Sequence, residues 1–341
     1  MDKVRFAVIG IDHRHIFGQV DCLLAAGGEL VSFHAAGGLL DWFAEKYPHA
    51  KRIDDRRHIL DDKTIQLIIC AGIPSERAAL GVEAMRHGKD FMVDKPGVTS
   101  FEQLAAVRGV QAETGRIYSV CFSEHFETRA TVKAGELVQA GAIGHIVHTT
   151  GLGPHRLNKA TRPEWFFQRE KYGGILTDIA SHQCEQFLFL TGADDAEVVT
   201  AAVANRANPE TPGLQDFGEM LLRTKDAGGY ICVHWFTPDG LPTWGDGRLF
   251  IVGTEGSIEL RKYVDIGGVP GIDHLVLVDG KGVKRIDCSG VELPYGRELL
   301  HDVLARAQTA MPQARCFKAM ELALTAQAMA EHGKGEAVMR R

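Results

Sequence analysis

Two short stretches carry residue types at spacings that can do chemistry. In "GGILTDIASH", Asp178 and His182 stand four apart. On a helix that interval puts both side chains on one face, a turn from each other, so a carboxylate and an imidazole can converge on one small molecule. Histidine is the side chain most easily poised to take a proton near neutral pH. In "VDKPG", Lys95 and Pro96 follow an apolar run. Proline fixes its own backbone and restricts the residue before it, so the lysine leaves its strand at a defined place, where an ammonium can face a developing alkoxide. Plainer readings stand beside these: Asp178 as a helix cap, His182 as a satisfied buried histidine, Lys95 as a solvated turn residue. Metal is the weakest reading, since the spacing is not H-E-x-x-H and no third ligand accompanies the pair. No metal site is expected.

Elements of two kinds must position these residues. The 341-residue chain is long for one core, which favours two domains. Over the first 124 residues short apolar runs alternate with helical stretches: "VRFAVIG", "ELVSFHAA", "IQLIICAG", "DFMVD" and "RIYSVCF" read as strands. That rhythm predicts a doubly wound parallel sheet, whose strand ends face a ligand crevice. Ser75 reads as the N-cap of one helix and Gly88 as its stop; Ser100 with Gln103 reads as a capping box closed at Gly115. Over residues 125–341, a bridging helix, "RATVKAGELVQAGAIG", leads into long strands such as "HIVHTTGLG", "GEMLLRTK", "GYICVHWF" and "RLFIVG". These predict a large, mainly antiparallel sheet, with hairpin turns at Gly228-Gly229 and at residues 279–282, and a helical C-terminal segment. One continuous helix is expected to carry Asp178 and His182.

Composition removes several function classes. Apolar residues are 45% and charged residues 24%, a globular balance, and the net charge of -6 without Lys/Arg runs argues against nucleic acid. "IQLIICAGI" reaches half the length needed to cross a bilayer, and the start of the chain enters a strand without a cleavable apolar region. A soluble cytoplasmic protein is the expectation. The seven cysteines include no C-x-x-C pair and read as reduced, mostly buried thiols, Cys184 among them.

Taken together, "VDKPG" with Asp94 in place of glutamate, "GGILTDIASH", "AGAIG" and "VGTEGSIEL" resemble the E-K-P, G-G-x-x-x-D-x-x-x-H, G-x-I-G and G-T-x-G motifs of the glucose-fructose oxidoreductase, inositol dehydrogenase and rhizopine-catabolism (Gfo/Idh/MocA) family, in the right order and across almost the whole chain. The resemblance implies an α/β protein: an N-terminal Rossmann doubly wound parallel sheet, then a C-terminal substrate-binding and oligomerisation domain with a large, mainly antiparallel open sheet. It implies NAD- or NADP-dependent oxidation of a secondary hydroxyl on a sugar, cyclitol or related polyol, in a homodimer or homotetramer. His182 would remove the hydroxyl proton, Lys95 would stabilise the oxygen charge, and Asp178 would position imidazole or substrate. Lys95, Pro96, Ala71 and Pro74 join Gly10 on the cofactor side.

The cofactor end departs from that pattern. In "VIGIDHRHIFG" Gly10 is present, but Asp12 and His15 stand where the second and third glycines belong. Asp12 can repel phosphate or cap the next helix, while His13, Arg14 and His15 can donate to it or form a polar surface loop. At the end of the second strand His34 replaces the acidic residue that would hold the ribose, which leaves NAD against NADP open. Glu124 and His125 read either as crevice-facing substrate residues or as a solvated pair before a helix. His155, Arg156 and Trp165 lie where substrate contacts are possible, although "WFF" reads better as packing. Two alternatives follow: a catalytically silent ligand-binding sensor or interaction protein, and a redox-neutral sugar-modifying enzyme with retained NAD.

Overall fold

Short apolar runs become strands because their side chains are buried on both faces. In the computed structural model, which describes residues 3–338, Leu67–Ala71 and Asp90–Asp94 are buried at every position, as in parallel strands with helices on either side. The chain divides into two compact units. Among the described residues, one holds residues 3–121, Glu170–Gly173 and Pro294–Phe317; the other holds Phe122–Arg169, Gly174–Leu293 and residues 318–338.

The first unit contains β1 (Arg5–Ile11), β2 (Glu29–His34), β3 (Lys51–Arg52), β4 (Leu67–Ala71), β5 (Asp90–Asp94) and β6 (Tyr118–Cys121) in the order β3-β2-β1-β4-β5-β6. Every neighbouring pair is parallel. The winding direction reverses between β1 and β4, and the carboxyl ends of strands at such a switch point form the ligand crevice. The two-residue β3 has no counterpart in the sequence reading, because Lys51 and Arg52 are exposed and carry no apolar signal.

Helix boundaries differ from expectation in two places. The helix Pro74–Arg86 begins with proline at its first position after Ile73, so Ser75 lies inside the first turn and does not cap it. A proline has the right φ there and no N–H to leave unpaired. At Phe101–Thr114 the Ser100 hydroxyl accepts from Gln103 N at 3.2 Å, but the Gln103 amide reaches back to Thr99 N at 2.8 Å, one residue before the cap.

The second unit is built on β7 (Ile146–Pro154), β8 (Glu197–Ala204), β9 (Phe217–Arg223), β10 (Gly228–His234), β11 (Arg248–Gly253), β12 (Gly256–Arg261), β13 (His274–Asp279) and β14 (Gly282–Ile286), ordered β14-β13-β12-β11-β7-β10-β9-β8. Only β7 and β10 pair in parallel; the other neighbours are antiparallel. Alternation decides its faces. Leu249, Ile251, Ile258, Leu260, Leu275 and Leu277 point inward and pack with Ala130 and Ala134 of the helix Arg129–Gln139. Each such side chain contributes about 1.5–3 kcal/mol on burial. The residues between them face outward, and Leu221, Val252 and Val278 are exposed there.

The turn at residues 279–282 is where the sequence puts it, between β13 and β14. Gly228 and Gly229 instead open β10, and the reversal lies at residues 224–227, where Thr224 N donates to Ala227 O. Among the described residues no helix is long and apolar enough to cross a membrane.

Candidate active site

In the first unit the chemistry gathers at the exits of β1, β4 and β5. Gly10 has φ +90°, and a Cβ there would stand 3.1 Å from the Gly72 Cα, so this turn takes glycine and brings two strand exits together. The N–H groups of Asp12 and His13 both donate to the Ala71 carbonyl, at 3.0 and 2.9 Å. The helix His15–Ala25 follows with Arg14 at its N-cap position and no side-chain cap, so Asp12 does not cap it. Burial, followed by the charge of Glu76, raises the Asp12 carboxyl above its ordinary range. Arg14 stacks over the Trp42 ring at 5.2 Å.

The centre of this half is Asp94, fully buried at the end of β5. His13 Nδ1 meets Asp94 Oδ2 and His15 Nδ1 meets Asp94 Oδ1, each at 2.8 Å. Arg77 Nη2 donates to Oδ2 at 3.2 Å, while its Nη1 and Nε bind the carbonyls of Asp94, Lys95, Pro96 and Gly72. One guanidinium therefore fixes the whole Lys95-Pro96 exit, whose peptide is cis. Burial alone would raise the Asp94 carboxyl, but the charges of His15, Arg77 and His13 outweigh it and hold it well below the usual range. Burial, then the neighbouring His15, pushes His13 down to about 4. The three ligand-type atoms of His13, His15 and Asp94 lie within 4.8 Å of one another; Arg77 on the same carboxylate already neutralises the charge a cation would need.

Lys95 is buried. Pro74 starts its helix, and His34 pairs in register with Ile9 while its Nδ1 contacts the Ile53 carbonyl at 2.9 Å.

In the second unit the expected continuous helix is broken. Leu176–Ala180 is a π-helical turn, and the α-helix runs only over Ser181–Thr191. Such turns re-aim side chains and recur at functional sites. Asp178 sits in the π turn and His182 in the first α turn, both buried, with His182 only 1% exposed. The segment lies close on the sheet because the strands offer no side chains under it: a Cβ on Gly153 would stand 3.1 Å from Ile179 and Gln183, and one on Gly229 2.8 Å from Phe187. Its start is held by amides from afar. Leu176 N donates to Gln327 Oε1 and Ile175 N to Gln215 Oε1, both at 3.0 Å. Gln327 and Gln215 bind Glu331, which pairs with Arg169.

Beside this segment lies a buried polar cluster. Glu124 and His125 are buried, so the solvated-pair reading does not hold. Lys262 Nζ donates to Glu124 Oε2 at 2.7 Å and to Gln186 Oε1 at 2.8 Å; Gln183 Nε2 donates to Glu124 Oε2 at 2.9 Å. Burial would raise the Glu124 carboxyl, but Lys262, then His182 and His155, bring it to about 2. His125 Nδ1 meets Glu185 Oε2 at 2.9 Å and stacks on Phe189.

Among the weaker candidates, His155 is walled by Trp235 and Trp244. Arg156 turns to the carbonyls of Pro238 and Leu241, and Trp165 is half-buried beside Phe166. Sequence reasoning missed Arg77, Lys262, Gln183, Gln215 and Gln327. The one visible signal was glycine at alternate positions of "TGLGP", which marks a close approach.

Residues 131–259 match the family model of the GFO/IDH/MocA C-terminal domain. The solved structure of an oxidoreductase candidate from Erwinia carotovora atroseptica SCRI1043 is 44% identical, covers 96% of this chain and 99% of its own, and superposes with a TM-score of 0.93. The scyllo-inositol 2-dehydrogenase (NAD(+)) of Bacillus subtilis (strain 168) is 24% identical over 288 residues, 82% of this chain and 78% of its own. Levoglucosan dehydrogenase, solved in complex with NADH and levoglucosan, shares the fold at 18% identity, with a TM-score of 0.79 over 97% of this chain and 98% of its own.

Proposed function

The chain belongs to the Gfo/Idh/MocA family, and we propose that it oxidises a secondary hydroxyl of a sugar, cyclitol or related polyol. It is an oxidoreductase that uses NAD or NADP. The observation that carries the substrate reading is the buried Asp178 and His182 on a π-to-α junction, a carboxylate and a base brought out of water on two adjoining elements. Burial excludes solvent from proton transfer and strengthens each interaction a substrate hydroxyl would make.

The roles follow from charge. Removing hydride from a carbinol carbon is favourable only as the oxygen loses its proton and the C=O bond forms. His182, neutral, accepts that proton on a ring nitrogen. The Lys95 ammonium stabilises the negative charge on the oxygen, and Asp178 positions the imidazole or a neighbouring hydroxyl. Bound NAD(P) supplies the hydride acceptor. The first unit fits a dinucleotide at the β1/β4 switch point, where the side-chain-free turn at Gly10 lets backbone approach a ligand. Gly10, Asp12, His13, Arg14, His15, His34, Ala71 and Pro74 would line it. The exposed outer face of the eight-stranded sheet supports a homodimer or homotetramer.

The test is direct titration with NADH and NADPH, followed by nicotinamide fluorescence, then turnover against a panel of cyclitols, aldoses and sugar acids. Dinucleotide binding with a nicotinamide absorbance change on a polyol is expected. Binding without any absorbance change across the panel would favour a silent binding protein, and product formation without net cofactor change would favour redox-neutral chemistry.

A further inference from the structure

The loop after Gly10 presents two imidazoles where a dinucleotide-binding loop presents backbone N–H groups, and we infer that dinucleotide binding here is coupled to uptake of one proton by the His13–His15 pair. The inference rests on the cofactor reading above.

Hydrogen-bond bookkeeping carries it. An ionised carboxylate only accepts. Asp94 is buried, ionised and contacted by both rings through Nδ1 at 2.8 Å, so both rings carry their hydrogen on Nδ1. The Nε2 atom of a ring so bonded and neutral, as His13 is, is then an acceptor, and so are the pyrophosphate oxygens; acceptor facing acceptor repels. Backbone cannot substitute at the first two positions, because Asp12 N and His13 N are both spent on the Ala71 carbonyl. The other charged groups at this place are Arg77 and Glu76 from the helix Pro74–Arg86, Lys95 from the β5 exit, and Asp12 and Arg14 from the loop itself. Arg77 is committed to Asp94 and four carbonyls, while the exposed Arg14 lies over the Trp42 ring and is a donor besides the two imidazoles.

A proton from solvent on Nε2 turns that acceptor into a charge-assisted donor toward phosphate. No covalent bond other than the N–H forms, and the Nδ1–H bonds to Asp94 stay as they are. The rings stand 4.2 Å apart, edge to face, and two full positive charges at that distance oppose each other; one proton per dinucleotide is the expected count. His13, held near 4 by burial, enters the complex neutral at neutral pH, so a proton on its Nε2 is acquired on binding.

Calorimetric titration of the full-length protein with NADH, in two buffers of different ionisation enthalpy near neutral pH, reads the count directly. Uptake of about one proton per NADH is expected, with affinity rising about tenfold per unit of falling pH. The double variant His13→Gln/His15→Gln places a neutral amide donor at the Nε2 positions and is expected to bind with no uptake and a flat pH profile. NADH binding by the wild type without uptake overturns the inference and leaves the cofactor reading standing. So does uptake that persists in the double variant. Binding abolished by EDTA and restored by zinc would make the cluster a metal site and overturn it as well. If neither NADH nor NADPH binds, the cofactor reading fails and takes this inference with it.

Discussion

His15 Nδ1 lies 2.8 Å from Asp94 Oδ1, and that contact joins the two places where the chain departs from its family's cofactor pattern. One is a histidine where the loop has glycine; the other is aspartate in place of the E-K-P glutamate. They are one adjustment. A longer acidic side chain at 94 would carry its carboxylate into the space of the two imidazoles, and glycine at 15 would leave Oδ1 of a fully buried carboxylate without its histidine donor, His13 and Arg77 both binding at Oδ2.

The first prediction is a pH dependence of stability. The free chain protonates His13 near its ordinary value of about 6.5, whereas the folded protein does so at about 4. Between those values the unfolded state binds more protons, so stability falls as pH falls through the window. The loss is on the order of 2–3 kcal/mol from this group. Asp94 does not mask it: its carboxyl is depressed, so its contribution is present above about pH 3.9 and fades only below. Urea midpoints measured across this window should drop for the wild type and stay flatter for His13→Asn. Equal slopes for both would show that His13 is not the titrating group.

Some of this was legible and some was not, for physical reasons. "DFMVD" and "IQLIICAG" read as buried strands because nothing in them needs water, and Lys95 at a strand exit follows from the topology. Asp178 and His182 read as a pair, but the π turn did not, since it depends on amides of Gln215 and Gln327. Local sequence holds no trace of partners so distant. Arg77 and Lys262 looked like ordinary charged residues in a helix and at a strand end, and only tertiary packing buries them. Gly228-Gly229 misled because Gly229 serves a close contact with Phe187 and Gly228 one with His148 rather than a reversal.

The proposed catalytic roles make a second prediction. His182→Gln and Lys95→Met should each lower kcat by about 10²–10⁴ on the best polyol substrate, with circular dichroism and dinucleotide affinity little changed for His182→Gln. Asp178→Asn should shift the pH profile of kcat, because it alters the group that positions the base. Wild-type turnover in folded His182→Gln would remove His182 from the reaction.

The Glu124–Lys262 pair gives a third. Both side chains are at most 2% exposed, so removing one strands the other's charge. Glu124→Ala or Lys262→Ala should cost about 3–5 kcal/mol, and the double variant Glu124→Leu/Lys262→Met clearly less than the sum. The carboxyl, lowered to about 2, contributes stability above about pH 4.3 that is lost as pH falls through its folded value. Chemical denaturation of the three variants would measure the coupling, and simple additivity would contradict a specific ion pair.

The outer face of the eight-stranded sheet supplies the last prediction. Leu221 on β9, Val252 on β11 and Val278 on β13 are all more than a third exposed, and each lies on the face opposite the packed leucines and isoleucines of the same strand. A monomer would leave an apolar sheet surface in water, with each large aliphatic there worth about 1.5–3 kcal/mol if covered. Leu221→Asp/Val252→Asp should therefore shift the protein to monomer mass in light scattering while leaving its far-ultraviolet spectrum intact. A wild-type protein already monomeric at micromolar concentration, or a variant whose mass does not change, would show that this face is not the subunit interface.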